Sequence, residues 1–294
     1  MKLSTPPRLS HSSLSTYTEC GEKWRLTKLY KVPEESWLAT VAGSAVHEVT
    51  EILDLKEIGL HDGPVPTFKE VFDREIADAD AKGTKLRVSG KKLLKPGMGG
   101  GPNKKDYAWW LEFGPQMIED WTTWKAEMDW TLATMPDGTP GIEIDLSQPM
   151  AGRPFKGFID RLYITGMGEL VIIDLKSGNL PRNDLQLGEY RVGLLRQHGL
   201  LADWGAYWMG TTGQLTSLKD LSRYSEGYID HLYEMGWRGI EAGVFLPNLS
   251  SSCVTCGVRD FCAPFGGVES HRVEPFETAF YVTEEGVALS PDRV

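Results

Sequence analysis

Strand-like patterns occupy the middle of this chain. Residues 141–146 alternate between apolar and acidic side chains, as a half-buried strand does. The longer runs 155–165 and 169–177 are rich in β-forming residues and are separated by Gly166-Met167-Gly168, so they are predicted to form a hairpin. A further strand is predicted over 204–211.

Helical periods lie on both sides of these strands. The clearest is at 44–57, where Val46, Val49 and Leu53 recur on one face. Helices are also predicted over 107–130, 184–201 and 218–242, and segment 9–29 is predicted to be a short helix after a loop. This order predicts a single α/β domain over 1–294, with a helical insertion at 55–140 and no internal repeat.

Within the predicted insertion, residues 82–106 are predicted to form a basic, glycine-rich loop. The run Gly99-Gly100-Gly101 is surrounded by cationic side chains: Lys82, Lys85, Arg87, Lys91, Lys92, Lys95, Lys104 and Lys105. A solvated linker and a loop that contacts DNA fit this composition equally well. The following segment is rich in tryptophans, which lie in a core more often than they stack on bases: Trp109, Trp110, Trp121, Trp124 and Trp130.

Composition is that of an ordinary soluble globular protein, with 41% hydrophobic and 24% charged residues. Residues 1–7 lack the apolar run of a secretory signal, and no stretch approaches the roughly 18 apolar residues of a membrane span, so the predicted compartment is the cytoplasm. The net charge of −10 argues against a protein that coats duplex DNA by bulk electrostatics, but an enzyme needs only a local basic track.

Two aspartates and a lysine lie in strands that are otherwise apolar. Asp160 follows Phe158-Ile159, and Asp174-Leu175-Lys176 ends the next strand, so alternation places Asp174 and Lys176 on the same face. Carboxylates suit Mg²⁺ or Mn²⁺, which polarises a phosphoryl oxygen, and a lysine neutralises charge that develops on the phosphate. Taken alone, the tripeptide is better explained by an Asp–Lys ion pair at a strand end, because such tripeptides are common.

Other candidate residues stand at suitable places along the chain. His47 ends the run Gly43-Ser44-Ala45-Val46-His47 beside the apolar face of its helix, from which an imidazole can reach a metal. Gln186 and Tyr190 are four residues apart, so they share a helix face that can meet phosphate. Each is explained equally well as a structural residue, and only their combination with the acidic pair and the lysine favours a catalytic site.

In chain order, these motifs resemble the RecB-like branch of the PD-(D/E)XK nuclease superfamily. The run from Leu9 to Cys20 is also similar to the N-terminal signature of that branch. The resemblance implies an α/β fold with a restriction-endonuclease-like core, in which helices flank a mixed central sheet. It also implies a helical N-terminal region and a C-terminal iron–sulfur-binding segment.

The same resemblance implies roles for individual residues. It implies these catalytic residues: Lys176, Asp160, Asp174, Gln186 and Tyr190. It implies these metal ligands: His47, Asp160, Asp174 and the backbone carbonyl of Leu175. Glu143, on the preceding strand, matches a position at which the family often carries an acidic residue.

The four cysteines are Cys20 and the group Cys253-x2-Cys256-x5-Cys262. A reducing compartment disfavours disulfides, but zinc and iron–sulfur clusters both accept four thiolates, so spacing leaves both open. The pattern resembles the AddB nuclease domain and the CRISPR-associated exonucleases (Cas family, fourth member), in which such ligands hold a 4Fe–4S cluster. That resemblance implies a cluster that joins segment 244–266 to Cys20, although Gly21 stands where the family often has proline.

Together these expectations describe a metal-dependent DNA exonuclease that acts on single-stranded DNA or DNA ends. The resemblance alone implies the preference for single strands or ends. It also implies a place in recombination, repair or CRISPR adaptation, beside the proteins of those pathways. No P-loop is present, so the chain has no helicase motor of its own. The alternative is a non-catalytic DNA-binding module stabilised by an iron–sulfur or zinc site; a ferredoxin-like redox protein is disfavoured by the carboxylate–lysine motif.

Overall fold

The structure is a computed structural model that describes residues 8–88 and 105–273 and the backbone of 280–283 and 286–289. By their internal contacts the residues divide into two compact units. The sheet unit comprises residues 35–148 and 156–226, and the cysteine unit comprises 1–34, 149–155 and 227–294. In the described part of the chain, no helix is long and apolar enough to span a membrane.

Helices and strands are numbered in chain order. The α-helices are α1 (His11–Glu19), α2 (Gly21–Trp24), α3 (Leu38–Glu57), α4 (Phe68–Ala81), α5 (Tyr107–Glu127), α6 (Leu185–His198) and α7 (Glu226–Glu241). The strands are β1 (Ser36–Trp37), β2 (Leu86–Arg87), β3 (Thr131–Leu132), β4 (Ile142–Leu146), β5 (Gly157–Ile164), β6 (Leu170–Lys176), β7 (Trp204–Met209), β8 (Gln214–Leu215), β9 (Lys219–Asp220), β10 (Phe280–Thr283) and β11 (Gly286–Leu289). A π-helical turn covers Arg25–Leu29, and short 3₁₀ turns cover Ser251–Thr255, Arg259–Phe261, Ala263–Phe265 and Ser270–Arg272.

A seven-stranded mixed sheet forms the centre of the sheet unit. Its main path runs β3-β5-β6-β7-β8, with β4 also paired to β5 and β9 to β7. The β6–β7 pair is parallel, and the other pairs are antiparallel. Arg161 of β5 pairs with Ile142 on one side and with Ile173 on the other, which fixes the register of three neighbouring strands. The predicted α/β class, mixed sheet and hairpin are confirmed.

One face of the sheet is covered by α5. Trp121 and Trp124 of this helix pack on Tyr163, Leu175 and Trp208, so these two tryptophans are core residues. A second apolar cluster joins α3, α4 and α5, where Trp110 is also buried. Burial of this apolar surface is what holds the helices in place, at about 25 cal/mol per Å².

Helix α3 approaches the end of β6 closely at a glycine. A Cβ atom added at Gly43 would lie 2.7 Å from the hydroxyl of Ser177, which directly follows β6. Helix α3 begins at Leu38, six residues before the predicted start, and reaches Glu57. It therefore carries His47 past the end of the strand that holds Asp174 and Lys176.

Some predicted boundaries differ from the structure. The predicted helix 218–242 is wrong over its first part, because Lys219 and Asp220 form β9 on the edge of β7 and α7 begins only at Glu226. The short strands β3, β8 and β9 depend on pairing with distant partners, which local periodicity does not reveal. Of the predicted basic loop 82–106, residues 89–104 lie outside the described residues.

The cysteine unit contains α1, α2, α7 and the cysteine-bearing segment. Trp24 stacks on Phe245 at 5.8 Å between ring centroids, and Tyr17 donates to the carbonyl of Val244 at 2.7 Å. Gly21 donates to the carbonyl of Leu246 at 3.0 Å, and a Cβ at Gly21 would lie 2.8 Å from the Leu246 nitrogen. A proline at position 21 would lose that hydrogen bond, and any Cβ would collide with the backbone of residues 245–246, which explains the glycine.

Candidate metal centre and active site

Three carboxylates lie opposite one another on adjacent strands of the sheet. The pairs Ile142–Arg161 and Ile144–Ile159 bracket Glu143 of β4 against Asp160 of β5. The Arg161–Ile173 pair, continued by one residue, aligns Asp160 with Asp174 of β6. Because directly opposite residues project from the same face, the three acidic groups converge. Asp160 and Asp174 are buried, at 7% and 1% exposure, so their charges are not screened by bulk water.

His47 brings an imidazole from α3 to this carboxylate row. Its Nε2 lies 2.9 Å from the carbonyl oxygen of Leu175, and its Nδ1 lies 3.7 Å from Asp160 Oδ2. Since a carbonyl oxygen only accepts, Nε2 carries a proton, and in the neutral imidazole the Nδ1 lone pair would face Asp160. The Leu175 N–H also donates to Asp160 Oδ2 at 2.6 Å, which fixes that carboxylate.

Lys176, Gln186 and Tyr190 form a chain of contacts beside the carboxylates. The Lys176 ammonium lies 2.5 Å from Asp174 Oδ2 and donates to Gln186 Oε1 at 3.1 Å. Gln186 Nε2 in turn donates to the Tyr190 hydroxyl at 2.7 Å. All the predicted catalytic and metal-binding residues therefore converge in the sheet unit, in two adjoining groups that meet between Asp160 and Asp174.

The ligand atoms of His47, Glu143 and Asp160 all lie within 4.8 Å of one another. Asp174, predicted as a ligand, is outside this set and is paired with Lys176. The carbonyl oxygen of Leu175, a predicted ligand, accepts a hydrogen bond from His47. One imidazole nitrogen and several carboxylate oxygens fit Mg²⁺ or Mn²⁺, and a cation would relieve the repulsion among these crowded acids.

Sequence reasoning missed a buried arginine that supports this site. Arg161 is fully buried and donates Nε to Asp54 Oδ2 at 2.6 Å. Its Nη1 donates to the Asp160 carbonyl at 2.6 Å and to Glu143 Oε1 at 3.3 Å. Asp54 also accepts from Lys125 and from the Trp121 indole at 3.2 Å. The guanidinium thus links two strands of the carboxylate row to α3 and α5.

Helix α3 carried a signal for the missed acidic residues. Glu51 and Asp54 follow His47 at four and seven residues, so all three lie on one helix face. Burial raises the pKa of Glu51, and Arg161 opposes that rise. A cleft of about 500 Å³ opens above the site, lined by Ala39, Thr40, Gly43, Ser44, His47, Glu48, Glu51, Glu143 and Ser177.

Glu143 has an unusual backbone and an unusual acidity. Its φ of 46° lies in the left-handed region, which costs on the order of 1–3 kcal/mol for a non-glycine residue. Burial and the negative charge of Asp160 raise its pKa to about 8, against the opposing effect of Arg161. Burial likewise raises the pKa of Asp174 to about 6, although Lys176 opposes this. At neutral pH Glu143 therefore favours the neutral form, whereas Asp174 is mostly ionised and is paired with Lys176.

These shifts predict that the metal-free protein loses stability as the pH rises. The folded state holds the Glu143 proton up to about pH 8, whereas the unfolded chain releases it near 4.5. The resulting stabilisation is complete below 4.5 and is lost through about 8, with a slope of up to about 1.4 kcal/mol per pH unit. The urea concentration at the unfolding midpoint, measured in a chelator between pH 5 and 8.5, should fall more steeply with rising pH for the wild type than for Glu143→Gln. Equal slopes would contradict the assignment.

The four cysteines line a single pocket in the cysteine unit, together with Val258 and Phe265. Cys20 Sγ accepts from the backbone N–H groups of Lys23 and Asn248, each at 3.5 Å. Cys253 Sγ accepts from the N–H of Ser250 at 3.4 Å. Among the described residues, no three of these sulfurs lie within 4.8 Å of one another.

The superfamily model of the PD-(D/E)XK nucleases matches residues 8–263. The chain belongs to the PD-(D/E)XK nuclease superfamily, and the His–carboxylate cluster agrees with the divalent-metal dependence of that class. The match covers the sheet, the carboxylate row and the first part of the cysteine segment.

Three individual proteins that are similar to this chain share 13–27% of their residues with it. The Gene 69 protein of Mycobacterium phage D29 is 27% identical over 282 residues, covering 88% of this chain and 97% of that protein. The Gene 69 protein of Mycobacterium phage L5 is 24% identical over 302 residues, with the same two coverages. Among solved structures, the crystal structure of SSO0001 is 13% identical and covers 86% of this chain and 95% of that chain, with a TM-score of 0.29.

Proposed function

We propose that this chain is a divalent-metal-dependent DNA exonuclease of the RecB-like branch, acting on single-stranded DNA or DNA ends. The observation that carries the proposal is the convergence of His47, Glu143 and Asp160 next to the Lys176 ammonium, under an open cleft. Ligands for a cation and a fixed positive charge are the two parts that phosphodiester hydrolysis needs. The Gln186–Tyr190 pair beside Lys176 supports the RecB-like assignment.

In this proposal His47, Glu143 and Asp160 hold the cation, with Asp174 and the Leu175 carbonyl at its edge. A bound cation would polarise the scissile phosphoryl group and lower the pKa of water. Arg161 holds the Glu143 carboxylate and the Asp160 backbone in fixed positions. Asp160 is oriented further by the Leu175 N–H.

Lys176 has a separate task. Its ammonium is held by Asp174 and Gln186, so it is positioned before substrate arrives. A fixed cation at this point stabilises the negative charge that grows on the phosphate oxygens in the transition state. Gln186 is itself oriented by Tyr190, whose pKa is raised by burial, so that phenol stays protonated.

The proposal is tested with DNA labelled at either end, single-stranded or duplex, with Mg²⁺, Mn²⁺ or a chelator. We expect metal-dependent release of short products from one labelled end, and faster release from single strands. Binding of DNA without any hydrolysis would favour the non-catalytic module instead. Internal cuts at equal rates along the strand would contradict an exonuclease while leaving a nuclease.

We further propose that the cysteine unit holds a 4Fe–4S cluster that joins Cys20 to segment 244–266. Support comes from the pocket that the four cysteines line together. The predicted reducing compartment and a role in recombination, repair or CRISPR adaptation, beside partner proteins of those pathways, belong to the same proposal.

Protein purified without oxygen is expected to be brown and to contain iron and sulfide. Cys20→Ala should lower the melting temperature by roughly 5 °C or more, because the clip between two distant segments is lost. Its affinity for Mn²⁺ should stay unchanged, since the carboxylate row is a separate site. Val254→Ala, at an exposed position between two cysteines, is the matched control. Colourless protein with stoichiometric zinc would refute the cluster and leave the nuclease proposal intact.

A further inference from the structure

Helix α5 carries a partly exposed aromatic row that the catalytic site does not use. The row consists of Trp109 and Phe113 and ends at the buried Met117; the three residues are spaced four apart and therefore lie along one side of the helix. The rings of Trp109 and Phe113 stack, with centroids 4.6 Å apart and planes at 22°. Phe113 is 39% exposed, although a phenyl ring of a stable core would be covered.

The aromatic row leads toward the catalytic strand. Met117 is buried against Gly210, where an added Cβ would lie 3.1 Å from the Met117 sulfur. Gly210 donates its N–H to the carbonyl of Lys176 at 2.8 Å. Because a helix rises 1.5 Å per residue, the eight residues from Trp109 to Met117 span about 12 Å. One end of the row thus adjoins the backbone of the catalytic lysine.

The other end of the row carries a cation. The Lys105 ammonium lies 4.9 Å from the ring centroid of Trp109 and 6.0 Å from that of Trp110. An ammonium beside stacked rings combines the two features that bind a nucleic acid strand without sequence preference, namely phosphate attraction and base stacking. Trp109 also packs partly on the core of α3, α4 and α5, so the platform is rigid.

We propose that the aromatic row is a stacking platform for the bases of a single strand whose scissile phosphate lies at the carboxylate row. This proposal rests on the proposed nuclease function and adds its substrate contact. Trp109 covers one face of the Phe113 ring, and a base would stack on the exposed part of that ring. The exposed part of the row, from Trp109 to Phe113, spans about 6 Å, which matches about two stacked nucleotides.

The test uses the full chain with Lys176→Ala, which binds DNA without cutting it, and fluorescein-labelled oligothymidylate with Mg²⁺. Phe113→Leu in this background keeps apolar bulk but removes the ring, and should raise Kd about fivefold or more. Phe113→Tyr, which keeps a ring, should bind as the parent does. Tyr228→Leu, at an exposed aromatic of α7, should also leave Kd unchanged.

An oligonucleotide of consecutive abasic sites separates stacking from phosphate attraction. Phe113→Leu should not change the affinity of the protein for this abasic oligonucleotide. If the change weakens binding of oligothymidylate and of the abasic oligonucleotide equally, or of neither, the proposal is overturned. Hydrolysis of bis(p-nitrophenyl) phosphate by the wild-type chain, which involves no base, tests the nuclease function separately. If that hydrolysis occurs but the base-dependent contrast is absent, the platform is refuted and the nuclease stands.

Discussion

Asp160→Asn is expected to lower metal-dependent DNA hydrolysis on the order of a thousandfold. Asp160 belongs to the three-residue ligand set, and its carboxylate is also fixed by the Leu175 N–H. Asparagine keeps the volume and one oxygen, so the change removes charge rather than shape. Initial rates over a Mn²⁺ titration, with Mn²⁺ binding measured by calorimetry, should show both weaker metal binding and slower hydrolysis.

Lys176→Met separates metal binding from charge stabilisation at the same site. It should lower hydrolysis about a hundredfold or more while Mn²⁺ binds at least as tightly, because a competing ammonium is removed. Asp145→Asn, at an exposed position of β4, serves as the matched control for both variants and should retain full activity. Asp160→Asn protein with more than a tenth of wild-type activity would remove the basis of the proposed function.

Arg161→Met is expected to destabilise the protein by about 3–5 kcal/mol. The change leaves Asp54 in a buried position with one fewer cation, and breaking a buried ion pair on one side costs this much. Arg238→Met, which breaks only an exposed pair with Glu234, should cost about 1 kcal/mol or less. Urea unfolding measures both variants, and similar costs for the two would refute the structural role of Arg161.

A milder change tests whether Arg161 also positions the metal ligand. Arg161→Lys and Glu143→Gln, singly and together, form a double-mutant cycle on Mn²⁺ affinity. If Arg161 positions Glu143 through the Nη1–Oε1 hydrogen bond, the effects of the two changes on the free energy of Mn²⁺ binding should deviate from additivity by about 1 kcal/mol or more. Additive effects would mean that Arg161 supports the fold without acting on Glu143.

The sheet and half of the site were predictable because their signals are local. A hairpin turn between two β-rich runs fixes the antiparallel pairing of β5 and β6, and alternation then sets the shared face of Asp174 and Lys176. The capping box Thr67–Glu70 at the start of α4 was equally readable. These features need no knowledge of distant residues.

The remaining parts depend on contacts across long sequence separations. In the sequence Arg161 looks like an ordinary exposed strand residue, and its burial makes sense only with Asp54, 107 residues earlier, as partner. Glu143 belongs to the ligand set because two strand registers align it with Asp160. Strand β9 likewise forms only on the edge of β7, within a segment whose local pattern favours helix.

The left-handed backbone at Glu143 creates a conflict between folding stability and metal binding. Glycine adopts such a φ at little cost, so selection for stability alone would favour it there. A glycine, however, offers no carboxylate to a cation. An acidic side chain retained in this conformation therefore marks a position where the chain gives up folding free energy to keep its chemistry, and where improving thermostability and preserving turnover would be conflicting goals for an engineer.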